Sequence, residues 1–344
     1  MEQRELGASG LRTSAIGLGC MGFSQGYGAT DDTASIAVIR GCMDAGVRML
    51  DTAMSYGQGH NELLIGRVLK EVGQPADGIQ IATKFGIKRG PDGVYRDGRP
   101  ENVRTYCEES LQRLGAEVID LYYLHRVDPG VPIAETVGAM ADLVQAGKVR
   151  HLGVSEVTPE QLGEAAAVHP IAAVQFEWSL AWREPELELI PAARRLGIGL
   201  VPYSPLGRGL LARPLNDADI EASPFRKSDP RFRDRALDQN RAQVDALSRL
   251  AKTFDCSTSQ LALAWLLAQG PDVVPIPGTR HLDRALDNLK AEGLRLTTGD
   301  LQRLDAAVPP HLWAGDRRSF AVPVTSRPIA ESGSASGAVA PAPD

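Results

Sequence analysis

The chain of 344 residues predicts an α/β fold, a (β/α)8 TIM barrel built as a single domain. Three observations predict it. Eight short apolar runs alternate with helical patterns. The runs are continuous and not alternating in polarity, as expected for parallel strands buried on both faces. Glycines stand where helices should stop, at Gly46, Gly147 and Gly197, each soon followed by Val or Ile. An open doubly wound sheet is the main rival, and it would normally have fewer strands and a phosphate loop.

In order, the strand candidates are residues 15–18, 48–50, 79–82, 119–124, 149–154, 172–176, 198–201 and 273–276. Ile36, Ile39 and Met43 stand at helical spacing within 35–45. Thr158, Pro159 and Gln161 read as N-cap, first-turn proline and capping-box partner, and Ser257 with Gln260 repeats that start before LALAWLL. Residues 4–14 predict a hairpin across the barrel floor, turning at Ala8 to Gly10. Residues 207–240, rich in Arg, Asp and Pro, form a long connection after strand seven that reads as a lid or binding loop. The barrel domain is expected over 1–326, with a compositionally disordered Ser-, Gly-, Ala- and Pro-rich tail over 327–344.

Composition is ordinary for a globular protein, 43% hydrophobic and 23% charged. A net charge of −6 gives no basic footprint for nucleic acid or anionic lipid. The four cysteines, Cys20, Cys42, Cys107 and Cys256, are widely spaced, so reduced thiols and no metal site are expected. The N-terminus lacks an apolar signal core, and the longest apolar run, 261–268, is too short to span a bilayer. A soluble cytoplasmic protein is the expectation. Oligomeric state is left open.

One glycine motif misleads. Residues 17–22, GLGCMG, match the dinucleotide fingerprint G-x-G-x-x-G, which should open a helix directly. Here Gly26 and Gly28 follow, and the first plausible helix begins only near Asp31 and Asp32. A barrel strand whose glycines let a ligand approach the backbone fits better.

The chemistry gathers at the expected C-terminal strand ends, where barrel enzymes build active sites. Residues 46–64, GVRMLDTAMSYGQGHNELL, carry Asp51 at a strand tip and Tyr56 in the loop beyond. Strand three ends at Lys84, strand four at His125, strand five at Ser155 and strand six at Gln175. Strand seven ends at Tyr203 and Ser204, strand eight at Gly278, Thr279 and Arg280. Any one of these alone reads as a capped turn or a solvated strand end. Four ionisable types on one rim is harder to obtain by chance.

Those residues carry a resemblance. MLDTAMSYG, IATKFG, YYLHRVDP, HLGVSE, AVQFEWSL, YSPLGRGLL and PIPGTRHLDRALDNL, in that order across residues 4–315, resemble the aldo-keto reductases, most of all their bacterial branch. The resemblance implies reduction of aldehydes or ketones by NADPH in a barrel without a Rossmann domain. It implies a catalytic set of Asp51, Tyr56, Lys84 and His125. Tyr56 would be the general acid, with a phenol pKa lowered by the Lys84 ammonium. Asp51 would hold Lys84 charged, and His125 would orient the carbonyl. Cofactor contacts are implied at Cys20, Met21 and Asp51 and, for the carboxamide, at Ser155 and Gln175. Tyr203 would stack on the nicotinamide. Ser204, Leu206, Gly207, Arg208 and Gly209 would cover the pyrophosphate. Gly278, Thr279, Arg280, Arg284, Asp287 and Asn288 would hold the adenosine end, the arginines suiting a 2′-phosphate.

Two departures stand out. Many relatives place Asn where this chain has Glu156, and many use Lys at the position of Gly278. Trp178, Trp182, Tyr27 and Met54, joined by Phe225, Phe232 and Trp313, are expected as apolar walls for a small carbonyl substrate. Two other readings compete. One is a non-catalytic NADPH-binding regulatory subunit of the same fold, such as a potassium-channel β-subunit. The other is a Schiff-base lyase using Lys84, which would need that lysine as a free amine.

Overall fold

The computed structural model describes residues 1–73, 78–90, 93–213 and 215–317. The expected tail, 327–344, lies outside the described residues. The chain opens with an antiparallel hairpin of β1 (Gln3–Glu5) and β2 (Arg12–Ser14), Arg4 facing Thr13. It plugs the barrel floor, as anticipated: Leu6 is fully buried, and Ala8 N donates to Gly197 O at 2.7 Å.

Seven parallel strands form one sheet. In chain order they are β3 (Leu18–Gly19), β4 (Met49–Asp51), β5 (Gln80–Phe85), then β8 (Ile119–Leu124), β9 (Val149–Ser155), β10 (Ile171–Glu177) and β11 (Gly199–Tyr203). The eighth expected strand is an irregular extended segment that nonetheless closes the barrel. Val274 N and Ile276 N donate to Leu200 O and Pro202 O of β11 at 2.9 and 3.0 Å. On the other side Gly17 N and Gly19 N donate to Pro275 O and Pro277 O at 3.0 and 3.1 Å. Pro275 and Pro277 have no N–H to return, so that seam is bonded in one direction only. A Cβ on Gly19 would lie 2.7 Å from Ile276 O, so glycine is what allows the closure. Gly17 and Gly19 of the misleading motif thus serve the seam, and the first long helix begins at Asp32, with Asp31 as its N-cap.

Local signals are realised where expected. Thr158 with Gln161 and Ser257 with Gln260 both form capping boxes. Gly46, Gly147 and Gly197 take φ of 98°, 70° and 67° after their helices. Helix Thr258–Leu267 is apolar on all sides from Leu261 onward and buried from Ser259 onward. Inside the barrel, Met49, Ala82, Leu121, Tyr123, Ala173, Val201, Val274 and Ile276 meet Leu6 and Leu11 rising from the floor.

Two features depart from the sequence reading. A second antiparallel hairpin, β6 (Ile87–Gly90) with β7 (Gly93–Arg96), rises directly from β5. The expected loop 207–240 holds helices Asp217–Glu221 and Pro224–Ser228 and the start of helix Asp234–Thr253. No helix among the described residues is long and apolar enough to cross a membrane.

Candidate active site

The strand ends open into a cavity of about 1310 Å³. Asp51 is the last residue of β4. Beyond it Tyr56 begins a tight turn in which Gly57, Gln58 and Gly59 all take left-handed backbone, φ 57°, 54° and 94°. That turn swings the chain into helix His60–Val72 and leaves the phenol facing the cavity. Lys84 extends from β5 into the same spot, fully buried. Its ammonium donates to Asp51 Oδ1 at 2.5 Å and Thr52 O at 2.7 Å, and reaches Tyr56 Oη at 3.4 Å. Gln175 Nε2, from β10, donates to the other Asp51 oxygen at 2.8 Å. His125, one residue past β8, stands edge-on to the Tyr56 ring, 5.7 Å between centroids and 82° between planes.

The electrostatics follow from burial. Burial raises the Asp51 carboxyl and lowers the Lys84 ammonium, and each opposes the shift of the other. His125 is driven well below its ordinary range by burial and by the Arg126 and Lys84 cations, so its ring is neutral at pH 7. Its Nδ1 has no hydrogen-bond partner among the described residues. The expectation that Lys84 lowers the Tyr56 pKa is not met. Burial, with the Asp51 carboxylate beside it, pushes the phenol well above 10, and Arg126 only partly opposes them. Lys84 has Asp51 as a closer partner than Tyr56, so its charge is largely matched before it reaches the phenol. Tyr56 therefore holds its proton.

A further layer holds this set. Thr52 Oγ1 donates to Asn61 Oδ1 at 2.7 Å, and Asn61 Nδ2 donates to Cys20 O and Ser24 Oγ at 2.9 and 2.8 Å. Thr83 donates to the buried Glu62, which Arg113 pairs at 2.7 Å. Asn61 and Glu62 fall inside the stretch the sequence singled out, yet nothing in their spacing marked them.

Of the other predicted residues, Met21, Gln175, Tyr203, Ser204, Leu206, Arg208, Gly209, Gly278, Thr279, Arg280, Arg284, Asp287 and Asn288 line the cavity. Cys20, Lys84, Ser155 and Gly207 lie just behind its wall. Ser155 is buried there, and Arg126 Nη1 donates to its hydroxyl at 3.2 Å. Positive φ recurs at Ser204 (46°), Gly207 (55°), Arg208 (57°) and Gly209 (93°), folding this loop tightly beside the cavity. At the far end Asp287 accepts from Gln260 Nε2 and Ser257 Oγ at 2.7 and 3.0 Å, while Arg284 is exposed at the rim. Arg280 Nη1 donates to Ala29 O.

The aromatic expectation holds in part. Tyr27, Met54 and Phe225 line the cavity, and Tyr27 meets Phe225 edge-on at 5.9 Å. Ser223 Oγ donates to Gly26 O at 2.9 Å, so the connection after β11 does reach across the mouth. Trp178, Trp182, Phe232 and Trp313 are not walls: each is 1–2% exposed and packed into the interior. Aromatic identity alone does not say which way a loop residue turns. Arg126 and the β6–β7 residues Ile87, Lys88, Arg89 and Val94 also line the cavity and were not foreseen. Adjacency to His125 was the one available signal for Arg126.

A profile of the Aldo/keto reductase family matches residues 15–309. The chain is 45% identical over 315 residues to a protein of Glycine max described as probable aldo-keto reductase 1, covering 91% of this chain and 90% of that one. Its structure resembles a glycerol dehydrogenase from Gluconobacter oxydans, with a TM-score of 0.80 and 28% identity over 92% of this chain and 98% of that chain. It also resembles the holo form of an aldo-keto reductase from Bacillus halodurans, with a TM-score of 0.77 and 29% identity over 90% and 97% of the two chains.

Proposed function

Because the chain belongs to the aldo/keto reductase family, we propose that it reduces aldehydes or ketones to alcohols with NADPH, Tyr56 supplying the proton. The observation that carries the reading is the Tyr56 hydroxyl, 3.4 Å from the Lys84 ammonium and edge-on to a neutral imidazole in one cavity.

The residues present fit a dinucleotide. A cavity of about 1310 Å³ exceeds the roughly 300–1,000 Å³ of drug-sized pockets. It has arginines at one end, a tightly folded loop at the middle and a titratable cluster at the other. Gln175, with Ser155 behind it, would hold the carboxamide, and Tyr203 would lie against the ring. Met21 and Cys20 would flank that end. Ser204, Leu206, Gly207, Arg208 and Gly209 would cover the pyrophosphate. Gly278, Thr279, Asp287 and Asn288 would hold the adenosine, with Arg280 and Arg284 at the 2′-phosphate. When bound, the nicotinamide supplies the hydride to the carbonyl carbon.

The protein's own part is polar. An imidazole N–H of neutral His125 donates to the carbonyl oxygen and aligns it. As negative charge builds on that oxygen, Tyr56 gives up its phenolic proton to it. The resulting phenolate lies beside Lys84, so the ammonium favours the charged product state over the neutral resting phenol. Asp51 and Thr52 O keep that ammonium in place. Alcohol oxidation is the same path reversed, in keeping with the glycerol dehydrogenase neighbour. A Schiff-base role for Lys84 is disfavoured by its pairing with Asp51 at 2.5 Å, which favours the ammonium against the effect of burial. The four cysteines are free, which suits the cytoplasm.

The test is a panel of aldehydes and ketones with NADPH and NADH, followed by absorbance. Tyr56→Phe should lower kcat about 10²–10⁴-fold with little change in cofactor affinity; turnover left intact removes Tyr56 as the acid. Arg280→Ala should weaken NADPH and spare NADH. Equal effects on both would move phosphate recognition elsewhere.

A further inference from the structure

Glu156 is 4% exposed and in left-handed backbone, φ 54°. Its Oε1 accepts from the Tyr203 hydroxyl at 2.9 Å, from Glu177 N at 3.1 Å and from Arg317 Nη1 at 2.7 Å, and its Oε2 accepts from Arg317 Nη2. Arg317 Nη1 also lies 3.1 Å from the Tyr203 oxygen, so that hydroxyl donates to one partner and accepts from the other. Burial alone would raise the Glu156 carboxyl, but Arg317, then Arg126 and Tyr203, outweigh it and hold it at about 2.

Arg317 arrives from 161 positions along the chain. Its guanidinium lies 5.5 Å over the Trp182 ring. Its segment is pinned to helix Asp234–Thr253 by Asn240, which exchanges two hydrogen bonds with Ala314 at 3.0 and 2.8 Å. Charges then alternate onward: Glu177 pairs with Arg231 at 2.5 Å, Arg231 with Asp229 at 2.7 Å and Asp229 with Arg208 at 3.0 Å. Buried ion pairs seldom stabilise a fold more than apolar side chains of the same size would, so one that ends on cavity residues calls for another reason.

We propose that Glu156 and Arg317 are positioning residues for the cofactor: together they lock the Tyr203 ring as the nicotinamide platform, which makes the segment after helix Thr298–Ala307 part of the cofactor site. This rests on the reading of Tyr203 as that platform. Without Arg317 the Glu156 carboxylate is a buried charge that Arg126 offsets only in part. It must take up a proton or admit water, and either change loosens the phenol it holds.

The experiment measures dissociation constants of the full chain for NADPH and NADH by quenching of protein fluorescence, with circular dichroism as the check on folding. Arg317→Met should weaken both dinucleotides equally, about tenfold, because the contact acts at the end they share. The loss should appear in cofactor KM more than in kcat, and Arg317→Lys should restore part of it. Tyr203→Phe should give a similar loss, and the double variant should be no worse than either single. Unchanged affinity in folded Arg317→Met, unequal loss of the two dinucleotides, or additive losses would overturn the proposal. Should Arg317→Met fail to fold, Tyr203→Phe decides alone, and unchanged affinity in it is fatal. Tyr203→Ala separates the layers. If it leaves affinity intact, the platform reading and the proposal both fall. If it weakens binding while Tyr203→Phe and Arg317→Met do not, only the proposal falls.

Discussion

Lys84→Met probes the buried ion pair at the base of the cavity. Methionine keeps most of the side-chain volume and removes the charge. Among the described residues, Asp51, 3% exposed, then retains only the Gln175 amide at 2.8 Å as a side-chain partner. Leaving one partner of a buried pair uncompensated costs about 3–5 kcal/mol. Asp51 can escape part of that cost by taking up a proton, which makes the deficit depend on pH. Burial already raises its carboxyl above 3.8, and Lys84 is the strongest influence opposing that rise. Removing Lys84 therefore moves the folded value further up while the unfolded value stays put. A carboxyl with a raised folded pKa favours folding below its unfolded pKa, and that contribution is lost as pH rises through the folded pKa. The deficit of Lys84→Met relative to wild type should accordingly be small at pH 5 and grow towards pH 8. Urea unfolding at several pH values measures it. Asp51→Asn combined with Lys84→Met should recover most of the loss, since no charge is then left behind. A deficit constant with pH, or a double variant that costs the sum of the singles, would show that the two groups are not a coupled pair.

Further outcomes follow from burial and packing. His125 should show no titration between pH 6 and 8 in its ring NMR signals, because burial and two nearby cations hold it neutral. With its folded pKa depressed, it contributes stability above the unfolded value near ~6.5 that is lost at lower pH. An inflection in the ring signals near neutrality would contradict that environment. Gly199→Ala would place a Cβ 2.7 Å from Leu6 Cα and Cβ, where β11 meets the floor hairpin. A cost of about 1–3 kcal/mol in thermal or urea unfolding is expected, and an unchanged midpoint would mean the hairpin yields freely.

On the proposed reading of Tyr56 as the general acid, its resting state also has a physical logic. A general acid must carry its proton before it can give it away, and desolvation ensures this for Tyr56. On that proposal the nearby Lys84 cation matters when the phenolate forms. Asp51 thus does two things: it holds Lys84 in reach and keeps the resting phenol from ionising early.

What the sequence determined by itself was local. Capping boxes at Thr158 and Ser257, helix ends at Gly46, Gly147 and Gly197, and the order of polar residues at strand tips all depend on contacts within a few positions of the chain. They were legible because side-chain type and spacing decide them. The tertiary structure alone decided the rest. Whether the prolines at 275 and 277 still close a barrel depends on Gly17 and Gly19 approaching from the other end of the chain. Whether Trp178 faces a cavity or the core depends on what packs above it. The direction of the Tyr56 pKa, and the meeting of Arg317 with Glu156, follow from desolvation by groups far apart in sequence. Neither spacing nor composition encodes which distant groups will exclude the water.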